Sequence, residues 1–177
     1  MKSARVHPFS VLVALTTYER GSGIKGSLSW NPNNKIVEAL NKAFYLSFDQ
    51  VEPTNKRILI GMDVSGSMTC GNVNGTPGIT PSMASAAMAM TLLRTEKHVH
   101  PMAFTDNFVP LPIHAQMSLD EVIRTTTRLP FGATDCAQPM IWAQENKLKV
   151  DLFVIFTDCE TWAGSVTPAQ ALKRYRR

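Results

Sequence analysis

The sequence predicts an α/β fold: a mostly parallel sheet flanked by helices, with a short helical segment ahead of it. Three observations predict it. From residue 56 onward, strand-length apolar runs alternate with helix-period runs. The run from Lys149 to Asp158 is nearly unbroken in hydrophobicity, as expected of a central parallel strand covered on both faces. Asp63 and Asp158 each follow such a strand, at the carboxyl edge where open α/β sheets bind ligands.

The first helix is expected from Pro8 to Arg20, opened by proline and closed by Gly21. Asn31-Pro32 is expected to start a second helix, with Ile36, Ala39, Leu40, Ala43, Phe44 and Phe48 on one stripe. Two short helices offer more apolar face than they can bury against each other, which suggests the end of a larger helical array. Val51 to Asn55 reads as a linker. Lys56 to Met62 is a strand running into Asp63-Val64-Ser65-Gly66-Ser67, and a polar Gly, Asn and Pro-rich loop follows from Cys70 to Thr80. Pro81 to Lys97 is a helix whose methionines and alanines pack on the sheet. Val99 to Asp106 is a second strand, and its Pro101 argues for a place near the strand start or at an edge. Ser118-Leu119-Asp120-Glu121 is a capping box for a helix reaching Leu129. Thr134 or Asp135 is expected to cap a helix through Trp142, and Thr167-Pro168 opens a last helix that ends at Tyr175-Arg176-Arg177.

The chain of 177 residues, 44% of them hydrophobic, can hold one ordinary domain with something appended. Eighteen basic and 14 acidic residues leave +4, an excess that permits a polyanion partner without demonstrating one. Three cysteines, none in a C-x-x-C pair, make no disulfide framework and point to a reducing compartment. No apolar run approaches the roughly 20 residues of a membrane helix, and the first residues lack a secretory core. The expectation is a cytoplasmic protein with no membrane partner.

Asp63, Ser65 and Ser67 place a carboxylate and two hydroxyls at two-residue steps in one loop. Such hard oxygen donors, with no Cys or His adjacent, suit Mg²⁺ or Mn²⁺ better than zinc. Thr134, in a loop entering a helix, and Asp158, at a strand end, belong to the same rim. Catalysis is not expected. Ser65 stands where an aspartyl-phosphate enzyme needs its second carboxylate, no G-x-S-x-G elbow exists, and His98, His100 and His114 fall around the second strand. Cys70, Cys136 and Cys159 each lie near a metal loop, but their spacing matches no zinc pattern and inert buried thiols are expected. Lys173-Arg174-Tyr175-Arg176-Arg177 mixes basic charge with an aromatic, yet five residues do not define a patch.

Asp63-Val64-Ser65-Gly66-Ser67 resembles the D-x-S-x-S signature of von Willebrand factor A-type domains, which are Rossmann-like α/β folds. Gly132-Ala133-Thr134-Asp135 resembles their threonine loop, and Phe156-Thr157-Asp158 their third loop. The resemblance implies a metal-ion-dependent adhesion site. Ser65, Ser67 and Thr134 would hold a divalent cation, Asp63 and Asp158 would act largely through water, and an open position would accept an acidic group. Gly66 and Ala133 depart from close relatives without touching the oxygen donors.

Val51 to Arg57, Pro139 to Gln144, Phe156 to Thr161, and His7-Pro8-Phe9 with Gly21 to Gly26 further resemble the Ro ribonucleoprotein family. Its members join a ring of helical repeats, the TROVE module, to an A-type domain. The resemblance implies that residues 1–50 end that module and residues 56–177 form an A-type domain incomplete at its C-terminus. It implies small non-coding Y RNA and misfolded RNA as partners, bound through a ring nearly all of which lies outside this sequence. No RNA-binding residue is legible. The alternative is a stand-alone A-type interaction module that recognises an acidic protein group through the metal.

Overall fold

The structure, a computed structural model, describes residues 6–104, 107–130, 132–158, 161 and 163–177. Helix α1 (Pro8–Arg20) has proline in its first turn and ends on Gly21 at φ 73°, the left-handed geometry glycine adopts freely. Helix α2 (Asn34–Ser47) begins later than Asn31-Pro32 suggests, because the Asn33 side chain accepts the Lys35 amide and caps it. Only its second half is buried, through Ala43, Phe44 and Ser47, whereas Ile36 and Leu46 are exposed. The stripe expected along α2 therefore has a partner over only half its length.

Strand β1 (Arg57–Asp63) runs between β2 (His98–Phe104) and β4 (Leu152–Phe156), parallel to both. A three-residue strand, β3 (Phe108–Pro110), pairs antiparallel with the end of β2, giving the order β3-β2-β1-β4. Nothing in its short, proline-ended sequence marked β3 in advance. Helices α3 (Pro81–Thr95), α4 (Leu119–Thr127), α5 (Gln138–Glu145) and α6 (Pro168–Tyr175) complete the fold. Both expected capping boxes form, at Ser118 with Glu121 and at Thr167 with Gln170.

One expectation about the sheet needs correction. β4 is an edge strand among the described residues, half-buried along its length and exposed at Leu152, rather than central. Continuous hydrophobicity reports covered faces; it does not report how many neighbours the strand has. Pro101, in contrast, lies mid-strand beside Ile60 of β1. Its carbonyl accepts the Leu111 amide on the β3 side, beyond the short ladder that begins at Met102. A residue's N–H and C=O point to the same side of a strand, so the missing proline donor faces the locally open side.

Alternation along β1 builds two cores. Ile58, Ile60 and Met62 pack with Ala86, Ala87 and Met90 of α3, and this cluster continues into Leu12, Phe44 and Phe48 of the helical segment. Leu59 faces the other side, with Met102 and Ala143. Gly61 opens the way for α5, since a Cβ there would meet Pro139 at 2.8 Å and Ile155 at 3.1 Å. The helical segment is also tied through polar groups. Arg94 lies over both the Tyr45 and Phe48 rings, 5.0 Å from each centroid, and bonds the Met117 carbonyl. The Glu96 carboxylate takes the Thr54 and Asn55 amides at 2.6 and 2.9 Å.

Candidate cation site

Asp63 ends β1 almost fully buried, 3% exposed. Its Oδ1 accepts the Ser65 amide at 2.8 Å, which folds the loop back and points the Ser65 and Ser67 hydroxyls together, 3.0 Å apart. A single 3₁₀ turn, Gly66–Thr69, follows and buries Met68 beneath the loop. Register supplies the next neighbour. Met62 pairs with Phe156, so Thr157 falls beside Asp63 and donates its hydroxyl to Oδ2 at 2.9 Å.

Thr134 arrives from the loop before α5, its hydroxyl 3.5 Å from the same Oδ2, near the limit of a hydrogen bond. Neither Thr134 nor Asp135 caps α5, contrary to expectation: Ala137 occupies that position without a side-chain cap. Asp135 instead accepts the Ala137 amide at 2.9 Å, one step earlier, and its carboxylate packs against Gly164. Thr134 is thereby freed to face Asp63. Its own carbonyl takes the Ala163 amide at 3.2 Å, which ties the loop down.

Of the residues singled out from sequence, Asp63, Ser65, Ser67 and Thr134 share one cluster. Asp158 is half-buried and next along the chain from Thr157; among the described residues no hydrogen bond joins it to the others. Thr157 is the addition. Its signal was the apolar run ending at Phe156, one residue before it, but only the pairing with β1 aims its hydroxyl.

The donor set fits a hard divalent cation. Asp63 is a buried carboxylate without a lysine or arginine ion pair among the described residues, where the recorded pair is Arg57 with Asp151. Burying an anion without a countercharge costs several kcal/mol in general, and hydroxyl and amide hydrogen bonds offset only part of it. The hydroxyls of Ser65, Ser67 and Thr134, with the carboxylate between them, are the ligand types Mg²⁺ and Mn²⁺ take. Behind the loop, Asp63, Ser65, Ser82, Ser85 and Thr126 border a cavity of about 10 Å³, room for about one water.

A thiolate site is a poorer fit. Cys70 is exposed rather than buried, and Cys159 lies outside the described residues. Cys136 is buried, and burial pushes its thiol up; the Thr161 and Thr157 hydroxyls pull the other way, and the charges of Asp63 and Asp135 add to the rise. The raised thiol is less readily available as the thiolate that ligates metal. Among the described residues no three His, Cys, Asp or Glu side chains converge as a metal site.

Residues 57–177 match the family model described as the Ro60 vWA domain. The chain is similar to a Deinococcus radiodurans protein named RNA-binding protein RO60, 47% identical over 175 residues that cover 99% of this chain and 33% of that one. A Caenorhabditis elegans protein of the same name is 42% identical over 176 residues, covering 99% and 27%. The crystal structure of the Deinococcus radiodurans RO (RSR) protein superposes with a TM-score of 0.93 at 47% identity, over 98% of this chain and 35% of that one. The chain thus spans a third or less of the length of these two curated relatives.

Proposed function

Because the chain belongs to the Ro60 vWA domain family, we propose that it is part of an RNA-binding Ro-type protein, to which it contributes a divalent-cation recognition site. One observation carries the RNA reading: alignment of 99% of the chain with relatives named RNA-binding proteins. The proposed partners are small non-coding Y RNA and misfolded RNA, in the cytoplasm, with quality control of RNA as the role.

The cation site is read as Asp63, Ser65, Ser67, Thr134 and Asp158 holding Mg²⁺ or Mn²⁺. Supporting it are the buried Asp63 carboxylate and the paired serine hydroxyls at the carboxyl edge of the sheet. A bound cation supplies countercharge to Asp63 and a Lewis-acidic position for an acidic group of a partner protein. The reading is of recognition rather than catalysis. Both Asp63 oxygens are engaged by an amide and hydroxyls, so the carboxylate is held as a structural anion and not as a free nucleophile.

The test is a filter-binding titration of the chain and of its longer parent protein with a structured small RNA at several salt concentrations. Saturable binding by the parent, weakening as salt rises, is the expected result. A parent that binds no RNA at any salt concentration ends the RNA reading.

A further inference from the structure

The end of the sheet opposite Asp63 holds a second feature. An open groove of about 320 Å³ lies between the α5–β4 connection and the end of α6, and Lys147, Lys149, Arg174 and Arg177 line it. All four are exposed, and no Asp or Glu side chain is among the lining residues. The nearby Asp151 is already taken by Arg57 at 2.6 Å. Two segments distant in sequence therefore make a patch that the terminal five residues alone could not define.

The groove is built, not incidental. Tyr175 packs edge-on against Phe153, with centroids 5.0 Å apart. Its hydroxyl donates to the Leu148 carbonyl at 2.8 Å and accepts the Val150 amide at 2.7 Å. Those bonds clamp the backbone on either side of Lys149. Lys147 sits at φ 52°, the left-handed position just past α5 where glycine is the usual residue. Holding a non-glycine residue there strains the backbone. Complementing a helix dipole does not account for the set, because Lys149 belongs to no helix. The two helix ends contribute about half a negative charge each and the Arg177 α-carboxylate one more, against four full positive ones.

We propose that this groove binds the phosphodiester backbone of RNA. The proposal rests on the RNA-binding reading above and deepens it by naming a contact surface on this chain. β1 spans seven residues between this edge and Asp63, about 20 Å at strand rise, so the groove acts independently of the cation site. Tyr175 is half-buried and its hydroxyl is bonded to the backbone, so the four cations supply the contact. Contact through phosphates alone makes the binding indifferent to base sequence.

The experiment compares the 177-residue chain with the triple variant Lys147→Gly, Lys149→Gln and Arg174→Gln, using single-stranded oligouridine and oligoadenosine in filter binding across salt concentrations. Removing three phosphate contacts reduces the magnitude of the log–log salt slope by about 2, at ~0.7 per contact for single strands. Equal affinity for the two oligonucleotides is expected. Lys147→Gly alone raises thermal stability while weakening binding, which separates lost contact from lost fold. An unchanged slope and affinity in the triple variant overturns the groove and leaves the RNA reading standing. No binding by the wild-type chain also overturns it, whereas the RNA reading falls only if the longer parent fails too. Binding to phosphatidylserine vesicles without binding to RNA assigns the groove to membranes and overturns the proposal.

Discussion

At the amino end of β1, Arg57 forms a bidentate pair with Asp151, both side chains well exposed, at 46% and 34%. The pairing holds the Asp151 carboxyl well below the usual carboxylate range and pushes the Arg57 guanidinium up. At the carboxyl end of the same strand, Asp63 is buried and meets an amide and hydroxyls, with no cationic side chain among the described residues. One end neutralises its charge within the chain, out in solvent where the gain is small. The other leaves a buried anion that an external cation can neutralise. Charge that matters for ligands is the charge the fold leaves uncompensated, and the two ends differ in sign: an anion at the rim, a set of cations around the groove.

Three substitutions break or sharpen that contrast. Ile60→Ala should do most, because Ile60 is fully buried at the centre of the sheet both ends share. A loss of about 2–5 kcal/mol is expected in urea denaturation, with cation response and salt-dependent RNA binding declining together. Asp63→Asn keeps the shape and removes the charge. If the wild-type chain binds the cation as proposed, cation at about a hundredfold over Kd should raise stability by ~2.7 kcal/mol. That Mg²⁺- or Mn²⁺-dependent rise should vanish in the variant, read by thermal unfolding, while the RNA salt slope is unchanged. A rise that survives in Asp63→Asn removes Asp63 from the site.

Glu96→Gln is the smallest. Burial alone would raise the Glu96 carboxyl, but hydrogen bonds from Thr54, through both amide and hydroxyl, and from Asn55 outweigh it and leave it lowered from 4.5. A lowered carboxyl stabilises the fold above its ordinary value, and that contribution is lost as pH falls below 4.5 toward the folded value. Gln can accept with one oxygen where Glu uses two, so about 1 kcal/mol of stability should go at neutral pH. Thermal unfolding of the variant should also be flatter than that of wild type as pH falls below 4.5. Protease cutting between Val51 and Lys56 should quicken, while neither end of the sheet responds.

Much of the fold was legible because its signals are local. Pro8 and Gly21 bound α1, Ser118 and Thr167 form capping boxes with residues three places on, and the alternation in β1 shows which residues face each core. The Asp63, Ser65 and Ser67 cluster was legible for the same reason: the Ser65 amide that closes it lies two residues from Asp63. β3 was not legible, being three residues long and ending in proline, and it exists only because β2 offers an open edge there. The caps expected at Thr134 and Asp135 do not form because each side chain faces another partner, Asp63 for one and the Ala137 amide for the other.

The sequence by itself determined the α/β class, most helix limits and a hydroxyl-and-carboxylate loop at a strand end. Those properties depend on dihedral preference, capping and periodicity, which act within a few residues along the chain. Only the tertiary structure decided that β4 has one pairing partner among the described residues, that Thr157 and Thr134 converge on Asp63, and that Lys147 and Lys149 meet Arg174 across a groove. Each of these is set by strand register or helix packing between segments tens of residues apart. Such pairings are chosen by the burial of whole faces at once, and no single stretch of sequence carries that information.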